Sequence, residues 1–419
     1  MIRLVETLNF RCLRYIRQPL ENFHVLVGPN ASGKTTFLDV ISFLGQVVSD
    51  GVENAIFRDR TQNFSDLLWS GQGDFFELAV EASIPEEKRD LLKKRFDTIR
   101  YEIRIGYHQE TRQVGILEER ALLKKRKDEE PDQPSFFPRE HVLPRTILGG
   151  KAKHGERAIL SKGEKGNDNF YSEVLEESGK GWYPSIRLGP LRSALANLHE
   201  DETRFPVSIW FKQLMTQGVQ VFVLNSLAIR KASPPGQTRR FKPDGSNLPW
   251  VIDDLQRTDS NRFKEWVTHV RTALPEIENI KTVERPDDKH RYMKICYHGG
   301  IEVPSWMVSD GTLRLLALTI PAYLPEFKGI YLIEEPENGI HPTAVETVYQ
   351  SLSSVYDAQI LLATHSTVIL SMAPVNRVLC FKKTETGVAD IVPGHKHPSL
   401  RDWQGQPNLS ILFASGVLG

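Results

Sequence analysis

The stretch LVGPNASGKTTFLDV occupies residues 26–40. The apolar run Phe23–Val27 leads into it, and apolar residues at helical spacing continue beyond it through VISFLG. A glycine-rich loop between a strand and a helix is the context that gives GxxxxGKT a structural meaning. Gly28 and Gly33 let backbone N–H groups converge on a phosphate. Lys34 reaches the β/γ oxygens, and the Thr35 hydroxyl, with Thr36 beside it, is placed to ligate Mg²⁺. Without that context the same glycines would make only a tight turn. The loop specifies a nucleotide, and the use made of it has to be read elsewhere in the chain.

The bulk composition narrows the classes. The 419 residues are enough for two to three domain-sized units, and 40% hydrophobic with 25% charged residues is ordinary for a soluble protein. Lysine plus arginine (53) balances aspartate plus glutamate (53), so any nucleic-acid surface has to be a local patch or belong to a partner. Cys12, Cys296 and Cys380 are scattered without metal spacing and read as reduced thiols. No run approaches the roughly 20 apolar residues of a membrane span, and the N-terminus lacks a signal peptide's apolar core. A cytoplasmic protein with no membrane partner is expected.

Further along, FELAVEA, YEIRIGY and RQVGILEER alternate like strands of an antiparallel meander. From about Ala121 the composition turns polar, with KKRKDEEPDQP (124–134) and SKGEKGNDN (161–169) reading as exposed loops. RSALANLHEDE (192–202), RFPVSIWFKQLM (204–215) and NRFKEWVTHVRTALPEI (261–277) read as helices, and ASPPGQTRRFKPDGSNLP (232–249) as a long loop. No heptad repeat is present, which argues against long coiled-coil arms.

Three more motifs follow. In IYLIEEPE, four apolar residues carry Glu334 and Glu335 to the end of a strand, where one carboxylate can serve the Mg²⁺ shell and the next can polarise a water. In LLATHS, a buried run ends in Thr364, His365 and Ser366, so that His365 can meet a γ-phosphate; alone it would be an ordinary structural histidine. In VSDGTLRLLAL, Ser309, Asp310, Gly311 and Thr312 open a helix. A serine there is ordinarily a cap, yet a helix N-terminus beside a glycine is also an anion site. Parallel α/β sheets bind ligands at the carboxyl ends of their strands, so the two terminal regions are expected to share one sheet, with the middle as an insertion.

In their order, these four motifs resemble the ABC-type ATPases of the RecF/SMC branch, in particular the compact AAA-like ATPases related to the OLD family. LNFRCLRYIRQPLENFHVLVGPNASGKTTFLDVISFL is similar to the opening strands and Walker A of that group; SDGT resembles its signature, EEPENGIHP its Walker B and D-loop, and ATHS its switch-histidine loop. The resemblance implies an α/β fold: an ABC-type P-loop ATPase head with a mixed sheet flanked by helices, an antiparallel β subdomain and a largely helical insertion. Residues 1–120 and 301–419 would form the head and 121–300 the insertion. It also implies ATP and Mg²⁺ as cofactors, with Asn30, Gly33, Lys34, Thr35, Thr36 and Arg11 binding nucleotide. Ser309, Gly311 and Thr312 would act on the γ-phosphate held by a second copy in a head-to-head dimer. Glu335 and His365 would be catalytic, and Thr35, Glu334 and a glutamine would serve the metal. Gln72 is the candidate for that glutamine, in competition with Gln62. Glu334 stands where many ABC proteins carry aspartate.

OLD-like proteins add a Toprim nuclease. The segment after His365, ending HKHPSLRDWQGQPNLSILFASGVLG, has no acidic cluster for a two-metal site. The expectation is therefore an ATP-driven switch of bacterial anti-phage defence with a separate effector such as a nuclease. The alternative is a RecF-like repair ATPase that binds DNA through Lys124–Lys127, Arg239, Arg240 and Lys242.

Overall fold

All five residues of FHVLV are buried, which requires a layer on each face of the strand and a parallel sheet. A computed structural model describes residues 1–92, 95–126, 134–150, 152–165, 167–174, 182–325, 328–400 and 408–416. Its strands run, in chain order, β1 (Ile2–Phe10), β2 (Leu13–Pro19), β3 (Phe23–Val27), β4 (Phe75–Ser83), β5 (Thr98–Tyr107), β6 (Val114–Lys124), β7 (Arg157–Gly163), β8 (Asp168–Tyr171), β9 (Trp182–Ile186), β10 (Val219–Phe222), β11 (Ile277–Glu284), β12 (Arg291–Tyr297), β13 (Ile301–Pro304), β14 (Gly329–Glu334), β15 (Ala358–Ala363), β16 (Val378–Lys383) and β17 (Ala389–Pro393).

The central sheet has the order β10-β14-β15-β3-β16-β17. Every neighbouring pair in it is parallel except β16–β17. Strand β3 lies between β15 and β16, so the N-terminal and C-terminal regions do share one sheet. The pairing aligns the carboxyl ends of β3, β14 and β15: Leu26 faces Ala363, and Ala363 faces Glu334. The helix Lys34–Asp50 packs its Phe37, Ile41, Phe43, Leu44 and Val47 into a core shared with the second sheet.

That second sheet is antiparallel, in the order β2-β1-β4-β5-β6-β7-β8-β9. It contains the three anticipated meander strands and also runs on well past residue 120. The polar SKGEKGNDN stretch contributes to β7 and β8 because its charges find partners: Lys162 meets Asp168 at 3.3 Å, both buried, and Asp168 accepts the Leu188 N–H at 2.8 Å. Residues 121–300 are thus divided among all three sheets, with β10 closing one edge of the central sheet and β11–β12–β13 forming a small sheet of their own. The helices Leu248–Thr258 and Ser260–Ala273 pack against that small sheet.

One expected helix is absent. Residues 192–202 form turns, because the buried Glu119 carboxylate accepts the N–H groups of Ala194 (2.7 Å) and Leu195 (2.9 Å) and the Ser193 hydroxyl (2.7 Å). A buried carboxylate needs such donors, and here the turning backbone supplies them. Among the described residues no helix is long and apolar enough to cross a membrane.

Candidate nucleotide site

The loop after β3 has the backbone geometry of a phosphate cradle. Gly28 has φ 152°, and a Cβ there would stand 2.3 Å from the Phe381 carbonyl oxygen; Gly33 has φ 107°. Both positions therefore require glycine. Lys34 begins the helix, is buried, and donates from Nζ to the carbonyl oxygens of Gly28 (2.8 Å) and Pro29 (2.9 Å). Burial pulls its pKa down, and the carboxylates of Glu335 and Glu334 push it back up. The ammonium is thus held over the loop by weak neutral acceptors, a contact that phosphate oxygens would outcompete.

Thr35 donates its hydroxyl to Glu334 Oε2 at 2.6 Å, joining the P-loop helix to the end of β14. A hydroxyl and a carboxylate in contact suit Mg²⁺, which keeps several waters and takes few protein oxygens. The residues present therefore fit the metal that the motif implies. Thr36 accepts a weak bond from Cys12 Sγ at 3.5 Å, and Asn30 is exposed on the loop.

Glu335 has φ 45°, a left-handed turn that lets its N–H reach Ala363 O at 2.8 Å and extends the β14–β15 ladder by one residue. Its carboxylate accepts from Asn338 Nδ2. From β15, His365 presents its ring near the same charges. Burial lowers its pKa first and Lys34 adds to that, while Glu335 and Glu337 oppose it. The imidazole is therefore neutral at neutral pH.

Arg11, also at positive φ (49°), pairs with Asp39 of the P-loop helix at 3.1 Å. The same carboxylate is held by the buried Arg60, Nε to Oδ2 at 3.0 Å. These groups, with Thr35, Gln46 and Glu334, line a cavity of about 320 Å³ beside the helix. Gln46 and Arg60 were not singled out in the sequence. The signal was there: Thr35, Asp39, Ser42 and Gln46 recur at helical spacing as one polar face. Gln72 is exposed beyond a one-turn helix and does not line that cavity, and the side chain of Gln62 is engaged with Phe57 O at 3.0 Å.

Ser309 caps the helix Asp310–Thr319, accepting from Thr312 N at 3.3 Å. Among the described residues no hydrogen bond or ion pair joins Ser309 or Thr312 to Lys34 or Thr35 of the same chain. Gly311 instead backs onto the acidic turn, where an added Cβ would lie 2.8 Å from Gly339 O. Asp310 pairs with Arg230, Nε to Oδ1 at 3.0 Å.

Three of the basic residues proposed for DNA have partners within the chain. Lys124 meets Glu81 at 2.6 Å, Arg239 lies 4.8 Å over the Trp250 ring, and Lys242 Nζ donates to Gln237. Lys127 lies outside the described residues.

A sequence profile described as "AAA domain, putative AbiEii toxin, Type IV TA system" matches residues 23–371, from the first residue of β3 through the switch-histidine loop. The chain belongs to this AAA-domain family. No curated protein matches this AAA-domain chain in sequence. Among solved structures it is similar to an SMC head bound to the C-terminal winged-helix domain of ScpA, with TM-score 0.54, 14% identity, and 93% of this chain and 97% of that one covered. It is also similar to the SMC head with an extended coiled coil, bound to a ScpA C-terminal domain, from Pyrococcus furiosus, with TM-score 0.50, 13% identity, and 93% and 95% covered. At such identities the likeness is one of fold. That fold is the ABC-type ATPase head, with the mixed α/β sheets expected from the motifs.

Proposed function

We propose that this AAA-domain protein hydrolyses ATP with Mg²⁺ and uses the nucleotide to join and release two copies of itself. The observation that carries the reading is the convergence at the ends of β3, β14 and β15. Lys34, Thr35, Glu334, Glu335 and His365 arrive there from three neighbouring strands, with the Thr35–Glu334 contact at 2.6 Å.

In this reading Lys34 Nζ leaves the two loop carbonyls for the β/γ oxygens of ATP. Thr35 and Glu334 hold Mg²⁺, which supplies charge neutralisation on those oxygens. Glu335, its carboxylate fixed by Asn338, accepts the proton of the attacking water, and the neutral His365 bonds the γ-phosphate. Ser309 and Thr312 do not reach their own loop. They would complete the site of a second copy, which makes turnover depend on dimerisation.

The output falls to another polypeptide, an effector such as a nuclease in anti-phage defence. The family description names a putative AbiEii toxin of a Type IV TA system. The similar SMC head, which carries a ScpA domain, shows that this fold accommodates a docked protein. Native mass spectrometry of the protein co-expressed with its genomic neighbours, with and without ATP, tests the reading. An ATP-dependent dimer bearing a second gene product supports it, and a nucleotide-indifferent monomer sinks it.

A further inference from the structure

The acidic turn contains a third carboxylate to which the sequence motifs give no task. Glu337 lies between the strand-end pair Glu334–Glu335 and Gly339, against which the signature helix packs. Its Oε1 accepts the Thr364 hydroxyl at 2.6 Å and the His365 backbone N–H at 2.9 Å. Its Oε2 is buried without a hydrogen-bond partner.

The Thr364 N–H in turn bonds Leu26 O at 3.1 Å, and Leu26 is the residue before the last one of β3. The turn itself is closed by Asn338 N to Glu335 O (3.0 Å) and Ile340 N to Glu337 O (3.1 Å). One side chain thus ties the switch-histidine loop to the turn that carries Glu335 at one end and supports Gly311 at the other. Among the described residues the imidazole itself makes no hydrogen bond, and its ring lies 6.3 Å from that of Phe413 between centroids.

We propose that Glu337 is a positioning residue for His365, holding the Thr364–His365 backbone so that the imidazole and the Glu335 carboxylate address one γ-phosphate together. This rests on the ATPase reading above. Any movement of the turn that follows contact at Gly311 is then passed through Glu337 to His365, which places the histidine under the control of the signature helix.

The test is a double-mutant cycle on ATP turnover by the full chain, using Glu337→Ala, His365→Ala and both together. Glu337→Ala is expected to lower kcat by about 10–100-fold while KM for ATP stays within about threefold, because Lys34 and Thr35 are untouched. Added to His365→Ala, it should cost less than about threefold more, since its effect runs through the histidine. Glu337→Gln keeps an acceptor oxygen and should recover most of the rate. Should Glu337→Ala fail to fold, Thr364→Val, which removes one of the two bonds, takes its place in the cycle. Independent, multiplying losses in the double variant overturn the inference and leave the ATPase reading standing, as does a rise in KM at unchanged kcat. Absence of turnover by the wild-type chain overturns both.

Discussion

Lys34 tests the cradle at the level of single residues. Replacing it by alanine removes charge-assisted contacts to the β/γ-phosphates and is expected to weaken ATP binding by about 2–4 kcal/mol. Calorimetry giving an unchanged affinity would remove the P-loop assignment. Glu335→Gln separates binding from hydrolysis: it retains the Asn338 contact but loses the base, so ATP should bind, persist and hold two copies together. Turnover at the wild-type rate by that variant would mean that another carboxylate does the work. Both residues were legible in the sequence because each belongs to a short motif that follows an apolar strand, Phe23–Val27 for Lys34 and Ile330–Ile333 for Glu335. Arg60 was not, because its meeting with Asp39 and Gln46 depends on how the chain folds back after the helix.

At the scale of elements, the helix that Ser309 caps tests the proposed action on a second copy. Gly311→Arg is a poor probe, since even a Cβ there meets Gly339 O at 2.8 Å, so it would disturb the acidic turn first. Ser309→Asp is cleaner. It keeps a capping oxygen and puts a negative charge where a partner's γ-phosphate would come. Each monomer should still bind ATP while ATPase activity falls at least about tenfold. Mixed with Lys34→Ala protein, one of the two composite sites is intact, and activity should return in verified heterodimers. No return in them argues against action in trans. Strand β3 carries a pH dependence of its own. His24 is buried, accepts the Glu21 N–H on Nε2 at 2.8 Å, and burial lowers its pKa to about 4. Its folded-state pKa lies below the unfolded value of about 6.5. The stability it contributes is therefore complete above about pH 6.5 and is lost as pH falls through 4, up to about 3 kcal/mol. Urea midpoints of wild type and His24→Asn should differ at pH 7.5 and converge toward pH 4.5; a constant gap would show that His24 stays neutral throughout.

The whole molecule presents one set of ATP-site residues and balanced charge. Purified protein is expected to hydrolyse ATP slowly and to cleave neither DNA nor RNA in Mg²⁺ or Mn²⁺, with output appearing when a second polypeptide is added. Metal-dependent cleavage by the lone chain, abolished by one substitution outside the ATP site, would overturn this division of labour. Weak association with DNA is expected as well, since lysine plus arginine only balance aspartate plus glutamate; tight binding with a steep salt dependence would favour the repair reading.

The glycine-rich loop, the acidic strand end, the histidine loop and the helix capped by Ser309 were all readable along the chain. Each is a local pattern in which a few neighbouring residues set both backbone and chemistry. The three-strand meander was legible for the same reason, since side-chain alternation is a property of adjacent residues. Long-range packing set the rest: the meander grows to eight strands, β10 joins the central sheet, and residues 192–202 turn around Glu119. It also decided that Glu337, one more acid in EEPE, grips the backbone of His365. Those outcomes rest on partners far away in the chain: Asp168 takes Leu188, Glu119 takes Ala194, and Glu337 takes His365. A buried carboxylate bonds whatever donors the fold brings to it, and no window of neighbouring residues contains that information.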